Sequence, residues 1–377
     1  MPFSSPNPGG QVGPRADQPS GAKADLIAAD RLALLNRRSN AAGWRQLSGH
    51  LGLILVSGWL WGQPALPLLL RLPALTLLGV ALAFGFCAMH ECSHRTVFDQ
   101  RDSNDRWAWW AGVLSFYNAD FFRRYHQWHH RYTHLPGLDP ELEDPAPSSP
   151  SAYLLELTGL GWWLGKLRGH WRGLRGQFSG CPYIPPQAAG QVSNSIRRQW
   201  AVYGLLLLLS LPGGNGFGFW FWLLPLAIGQ PLLRFVLMAE HGGCPFVADS
   251  LRNTRTTYTL APLRWLMWNM PFHAEHHLYP SLPFHALERA HQQLAPQLTV
   301  VAPSYLAVHR GFLANLAALA MPGSSTGQEG AVAEGAAPAS ETAAPAGAVA
   351  TATVLAPTVS ATTVSATSVS AAAGSIP

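Results

Sequence analysis

The chain has 377 residues, a formal net charge of +5, 48% apolar and only 12% charged residues, with 15 tryptophans and 31 prolines. Soluble globular proteins carry about 25% charged residues, so the composition argues against a soluble protein of two or three domains and for a membrane protein with interfacial aromatic anchors. The positive charge is assigned to membrane topology rather than to a nucleic-acid partner, because no basic patch with interleaved aromatic residues accompanies it.

In chain order, residues 1–46 form a cytoplasmic arm, Pro/Gly/Ser-rich to about Ala28 and without the apolar core of a signal peptide. Such a segment is expected to be partly disordered. Residues 47–321 are expected to form a membrane domain. From Leu47 to Met89 the only readily charged side chains are His50 and Arg71. At about 1.5 Å per residue this run crosses a roughly 30 Å hydrocarbon core twice, turning near Gln63 to Pro73. Arg71 is then expected at the outer interface. A second uncharged run, Gln199 to Leu233, is broken by Pro212-Gly213-Gly214-Asn215 and predicts a second hairpin. Between the hairpins lie Arg95, Arg101, Arg106, Arg123, Arg124, Arg131, Lys166, Arg168, Arg172, Arg175, Arg197 and Arg198, whereas the Pro-Gly-Gly-Asn turn has no basic residue. Positive residues favour the cytoplasmic side. The expected fold is therefore an all-α, multi-pass integral membrane protein. Four transmembrane helices form two hairpins under a cytoplasmic helical cap, with both termini and the active site cytoplasmic. From Pro322 onward there is no Lys, Arg or aromatic residue, and small residues repeat; 322–377 is expected to be a disordered tail.

The chemistry lies in histidines. His90-Glu91-Cys92-Ser93-His94 is a literal H-E-x-x-H, the pattern by which zinc proteases hold their metal and activate water. A second set is His126, His129 and His130, and a third is His273, His276 and His277. Spacings of three and four put side chains on one helix face, so each set aims two or three imidazoles at one point, all on the same predicted side of the membrane. One catalytic zinc needs about three ligands and an open position. Eight clustered imidazoles instead match two metal ions, although imidazole alone does not choose among iron, copper, nickel and zinc. A carboxylate-bridged site built on Glu91-x-x-His94 and Glu288-x-x-His291 would leave the second set unused. Cys87, Cys92, Cys181 and Cys244 form no C-x-x-C pair, which excludes a zinc ribbon or an obvious iron–sulfur centre.

With these boxes, and a spanning hairpin between the second and third, the chain resembles the membrane fatty acid desaturase and hydroxylase superfamily from about Leu51 to Leu294. The stretches "HHRYTHLPGLDPEL" and "WNMPFHAEHHLYPSLPFHAL" carry much of the similarity. The resemblance implies a non-haem centre of two Fe ions that uses O2 and two electrons, held by His90, His94, His126, His129, His130, His273, His276 and His277. It adds His241, in "MAEHGGCP", from the end of the fourth crossing. No catalytic residue separate from the ligands and no other cofactor site is implied, and His134, His285 and His291 stay outside the expected set. Glu91, Asp139, Glu141, Glu240 and Glu275 neighbour the boxes and are candidates to orient the rings.

The expected activity is a fatty acyl desaturase placing a C=C bond in a lipid acyl chain. His273 points to a mid-chain position, since desaturases acting near the carboxyl end often have glutamine there. The alternatives are a hydroxylase or ketolase of a carotenoid or other lipid, or a desaturase of a small amino-acid-derived substrate. An intramembrane zinc metalloprotease using His90, His94, Glu91 and an aspartate such as Asp139 ranks lower. No fused haem segment, ferredoxin cysteine spacing or G-x-G-x-x-G is present, so a separate ferredoxin or cytochrome b5-like electron donor is expected. Arg123 and Arg124 are either its docking cations or plain positive-inside residues. Trp107 to Trp110 is expected along the interface, near the lipid entry or as an ordinary aromatic belt.

Overall fold

Ser39 shows how the first long helix starts: its hydroxyl accepts from the Ala42 amide at 3.2 Å and caps the free N-terminal end. The computed structural model describes residues 26–320 except 145, 212 and 213. Most of the expected disordered arm and all of the expected tail lie outside the described residues. A short α1 (Ala29–Leu35) leads into α2 (Asn40–Trp61). After a turn at 62–67 comes α3 (Leu68–Ser93), whose 26 residues span roughly 39 Å at 1.5 Å per residue. Arg71 sits at that turn. Its Nε donates to the Trp61 carbonyl at 2.9 Å, and its guanidinium lies 4.8 Å from the centre of the Trp61 ring. A cation on the last carbonyls of α2 satisfies the negative end of that helix.

The core is organised around α3, whose side chains are buried from Ala81 to Ser93. It packs against α2, α4 (Arg101–Ser115) and, further along the chain, α9 (Leu224–His241). Phe116 ends α4 in the left-handed region, at φ 65°, and the Tyr117 amide reaches back to the Gly112 carbonyl at 2.8 Å. Asn118 then caps α5 (Ala119–Tyr132): its Oδ1 accepts from the Phe121 amide at 3.0 Å. Its Nδ2 donates to Gln199 Oε1 at 2.9 Å, which ties the start of α5 to α8 (Pro186–Ser210).

Between α5 and α8 lie a 3-10 turn at Pro140–Leu142, α6 (Pro150–Leu157) and α7 (Leu160–Leu174). A wide-turned segment, Phe219–Leu223, runs directly into α9. Beyond α9 the chain forms α10 (Ser250–Asn253), α11 (Ala261–Leu266), α12 (His273–Leu278), α13 (Leu287–Leu294) and α14 (Tyr305–Ala320). The expected all-α class meets one exception. Thr256–Thr257 pairs in parallel with Val301–Ala302, in the register Thr256 to Val301.

The segments Leu68–Ser93 and Phe219–His241 are long and apolar enough to cross a membrane. The other two expected crossings, α2 and α8, carry polar residues through their first halves, as in Asn194-Ser195-Ile196-Arg197-Arg198 of α8. The first expected hairpin is present as the packed pair α2 and α3. The second pair is splayed: α8 packs on α5 and α7, while α9 packs mainly on α3. Glycines explain the latter contact. A Cβ at Gly229 would lie 2.0 Å from the Gly79 carbonyl oxygen, and one at Gly79 would lie 2.1 Å from that of Pro225. The two backbones touch, as small residues allow in membrane helices. Large apolar side chains stay exposed along these helices, among them Leu55 and Trp59, Leu69, and Leu207 to Leu209.

Candidate metal centre

Helix C-termini converge at the C-terminal end of α3. His90 lies in its last turn and His94 is the residue that ends it. His126, His129 and His130 occupy the last two turns of α5, and His241 is the final residue of α9. His273, His276 and His277 make up half of the six-residue α12. Each C-terminus carries about half a negative charge, so three of them meeting favours cations at that point.

Nine histidines meet there. One ring nitrogen from each of His90, His94, His126, His130 and His276 lies within 4.8 Å of the others, and His129, His241 and His277 form a second such group. His273 joins the second group, with its Nε2 at 3.1 Å from that of His241 and its ring 4.6 Å from that of His277. The structure thus brings together every histidine picked out in the sequence. All are buried except His94 and His130, which are partly so.

The hydrogen bonds behind several rings fix which nitrogen faces the others. Thr133 donates its hydroxyl to the His129 carbonyl at 2.8 Å, so it must accept from Nδ1 of His277 at 3.1 Å. His241 donates its Nδ1–H to the Asn253 carbonyl at 3.0 Å, and His129 Nδ1 lies 2.9 Å from Asp139 Oδ1. His90 Nδ1 lies 3.0 Å from Glu91 Oε1. In the rings of His277, His241 and His129 Nε2 is left as the lone-pair atom, and a ring held this way is a better and better-aimed ligand.

The donor set fits metal ions. Nε2 of His130 lies 3.0 Å from Nε2 of His126 and 3.1 Å from Nε2 of His276. One ring nitrogen cannot donate to both, whereas cations placed among lone pairs satisfy such contacts. The buried Nε2 atoms of His90, His94 and His277 have no hydrogen-bond partner among the described residues, and a buried unpaired polar atom costs about 1–3 kcal/mol. Burial first, and then the neighbouring imidazoles, hold His126, His130, His276 and His277 well below the usual imidazole range. They are neutral near pH 7, the form that ligates. In His129 burial also opposes the charge, but Glu141 and Asp139 outweigh it and raise its pKa. Imidazole-only groups exclude neither zinc nor iron.

The acids divide. Asp139 and Glu91 touch nest rings as expected; Glu240 Oε2 stands 3.5 Å from His273 Nε2, and Glu141 Oε2 stands 3.8 Å from His129 Nε2. Glu275 does not orient a ring of the nest. It accepts from Thr256 Oγ1 at 2.5 Å and from Nδ1 of His291. His291 is thereby a support that the sequence reading left out. Thr133 and Asn253 were also missed, because a threonine or a backbone carbonyl leaves no pattern in the sequence. His134 Nδ1 donates to the Pro245 carbonyl at 2.9 Å.

The protease geometry is not assembled. The near neighbours of His90 and His94 are His126, His130 and His276, while Asp139 serves His129. Arg123 is not free for a donor protein either: it pairs with Asp105 at 2.5 Å and donates to the Ser93 carbonyl at 3.1 Å, capping α3. Trp107 packs edge-on against Trp44, and of the tryptophans at 107–110 it is Trp110 that is exposed.

Residues 66–309 match the sequence model of the family described as "Fatty acid desaturase", which is more than half of the chain. Similar proteins include the sphingolipid delta(4)-desaturase/C4-monooxygenase DES2 of Rattus norvegicus, 28% identical over 247 residues, covering 60% of this chain and 65% of the rat protein. The protein of the same name from Bos taurus is 28% identical over 223 residues, covering 54% and 61%. That from Homo sapiens is 27% identical over 245 residues, covering 60% and 65%. The matched segment therefore spans less than two thirds of these relatives.

Proposed function

The chain belongs to the fatty acid desaturase family, and from that premise we propose that it is a membrane-bound oxidoreductase that uses O2 and two non-haem irons to oxidise a lipid chain. The leading reaction is desaturation of an acyl chain. The observation that carries the reading is the contact of His130 Nε2 with the Nε2 atoms of both His126 and His276, inside a nest of nine imidazoles. His90, His94, His126, His130 and His276 would hold one iron, and His129, His241, His273 and His277 the other.

Bound among these histidines, two irons would supply the reduction of O2, with two electrons from the donor, and the removal of hydrogen from an unactivated methylene. The protein's own residues do the rest. Asp139, Thr133 and Asn253 fix the ring orientations so that neutral Nε2 atoms face inward. Phe86 and Phe122, whose rings lie 6.2 and 6.1 Å from that of His90, line the apolar side of the nest and exclude water there.

We place the nest on the cytoplasmic side of a four-crossing chain with both termini on that side. The arginines between the crossings and the uncharged Pro212–Asn215 turn support this. Electrons come from a separate donor of the ferredoxin or cytochrome b5 kind. A second outcome, hydroxylation at the same site, is favoured by the rat and bovine relatives, whose names join desaturase to monooxygenase.

Expression with a reductase and donor, followed by mass spectrometry of host lipids, tests the proposal. A lipid lacking two hydrogens means desaturation, and one carrying an added oxygen means hydroxylation. An unchanged lipid profile under active O2 consumption would move the substrate to a carotenoid or small molecule.

A further inference from the structure

Two cations meet on one tyrosine outside the nest. Tyr117 is 5% exposed and lies between α4 and α5. Its hydroxyl oxygen accepts from Arg234 at 2.8 Å and from Trp162 Nε1 at 3.0 Å. The Lys166 ammonium lies 4.1 Å from the centre of its ring, and the Arg234 guanidinium lies 5.4 Å from the centre of the Trp162 ring. Among the described residues no carboxylate lies within ion-pair distance, 4.0 Å, of Lys166 or Arg234.

The unpartnered atoms around this point are mostly donors. With both lone pairs taken, the Tyr117 O–H has its proton to give. The Arg234 Nε–H has no partner. Gln230, 0% exposed and one turn from Arg234, has no partner for either amide atom. Gln230, Arg234 and His241 fall at i, i+4 and i+11 of α9, on the face that also delivers a histidine to the nest. Glu141 acts on both cations and Glu240 on Arg234, but only from beyond ion-pair distance; like charges packed together with no carboxylate in contact are costly, and buried donors without acceptors add to that cost. An anion would relieve both.

The distance to the nest is short. The Tyr117 ring lies 4.7 Å from that of Phe86, which lies 6.2 Å from that of His90. We propose that Lys166, Arg234, Tyr117 and Gln230 bind the anionic head, carboxylate or phosphate, of an amphiphile whose chain passes Phe86 to the histidine nest. That this amphiphile is the molecule oxidised rests on the function proposed above, and the oxidised carbon then lies close to the head. The partial burial of the lysine accords with the site: desolvation first, and Arg234 second, push the Lys166 amine down to about 7, a position that a bound anion would reverse.

The test is a binding measurement on the purified full chain in neutral detergent, with palmitate, methyl palmitate and phosphatidic acid as probes. The wild type is expected to bind at least one of the two anions about tenfold tighter than the ester, the worth of a charge-assisted hydrogen bond. Arg234→Gln and Lys166→Gln should each remove most of that preference while ester binding stays unchanged. Arg234→Lys should keep most of it, which separates loss of charge from loss of fold. Preference for palmitate assigns a carboxylate head and preference for phosphatidic acid a phosphate head. Equal binding of all three probes by the wild type, or an unaltered preference in both Gln variants, would overturn the proposal. Lipid oxidation that continues without any anion preference sinks this inference alone, whereas anion preference without oxidation of any lipid sinks only the function proposed above.

Discussion

Asp139 holds His129 with both oxygens, Oδ1 at 2.9 Å and Oδ2 at 3.1 Å from Nδ1. The same carboxylate accepts the Glu141 and His134 amides, at 3.0 and 2.6 Å, so the 3-10 turn after α5 is built around the group that aims a histidine. Replacing such a partner lowers metal affinity about 10–100-fold in known sites. Asp139→Asn keeps an oxygen for the turn but removes the charge. The variant should fold, as judged by an unchanged melting temperature, and should lose iron to a mild chelator that leaves the wild type loaded. Full iron retention would mean that His129 needs no such support.

Thr133→Val tests the tautomer logic at the neighbouring ring. Valine has the shape of threonine without the acceptor for His277 Nδ1–H. The His277 proton is then free to move to Nε2, and iron retention should fall with a stability loss of only about 1 kcal/mol. A variant as well metallated as the wild type would show that Thr133 does not set this ring.

Gly229→Ala addresses the α3–α9 crossing. A methyl group would meet the Gly79 carbonyl oxygen at 2.0 Å, and backbone cannot step aside as a side chain can. The two helices must part, which moves His241 away from His90. Overpacking costs about 1–3 kcal/mol, and here the upper end is expected, together with lower iron content. Thermal unfolding in detergent measures the first and elemental analysis the second.

Lys166 gives a pH dependence. Its amine is pushed down to about 7, so it is charged below that pH and loses its proton above it. An anion favours the charged form, raises that pKa on binding and takes up a proton as it binds. Affinity for the anion is therefore full below about pH 7 and falls as pH rises toward about 9. Arg234 and Glu141 act on the amine from α9 and the 3-10 turn, and the desolvated His170, one helical turn away at about 4, stays neutral throughout. In Lys166→Gln the fall should flatten. A wild-type profile that is level from about 6 to about 9 would remove Lys166 from the site.

The histidine nest was legible in the sequence because helical spacing fixes which side chains share a face, and three such sets were too many for one zinc. The first helix pair was legible from the low charge between Leu47 and Met89. The splaying of α8 from α9 was not, since it depends on the backbone contact of Gly79 with Gly229, which no local pattern encodes. Glu275 was misread as a ring-orienting acid because adjacency in sequence says nothing about facing: on α12 it turns away to Thr256 and His291. Arg234 drew no notice as a lone cation at the end of an apolar run, and only the fold sets it against Tyr117 and Lys166.

The metal content of the purified chain tests the central claim most directly, read by elemental analysis beside activity for the wild type, His129→Ala and His276→Ala. The account predicts about two irons per active wild-type chain, with clear loss of iron and of activity in each variant, because the two histidines belong to different groups of the nest. A fully active protein containing a single zinc and no iron, or two fully active alanine variants, would contradict it.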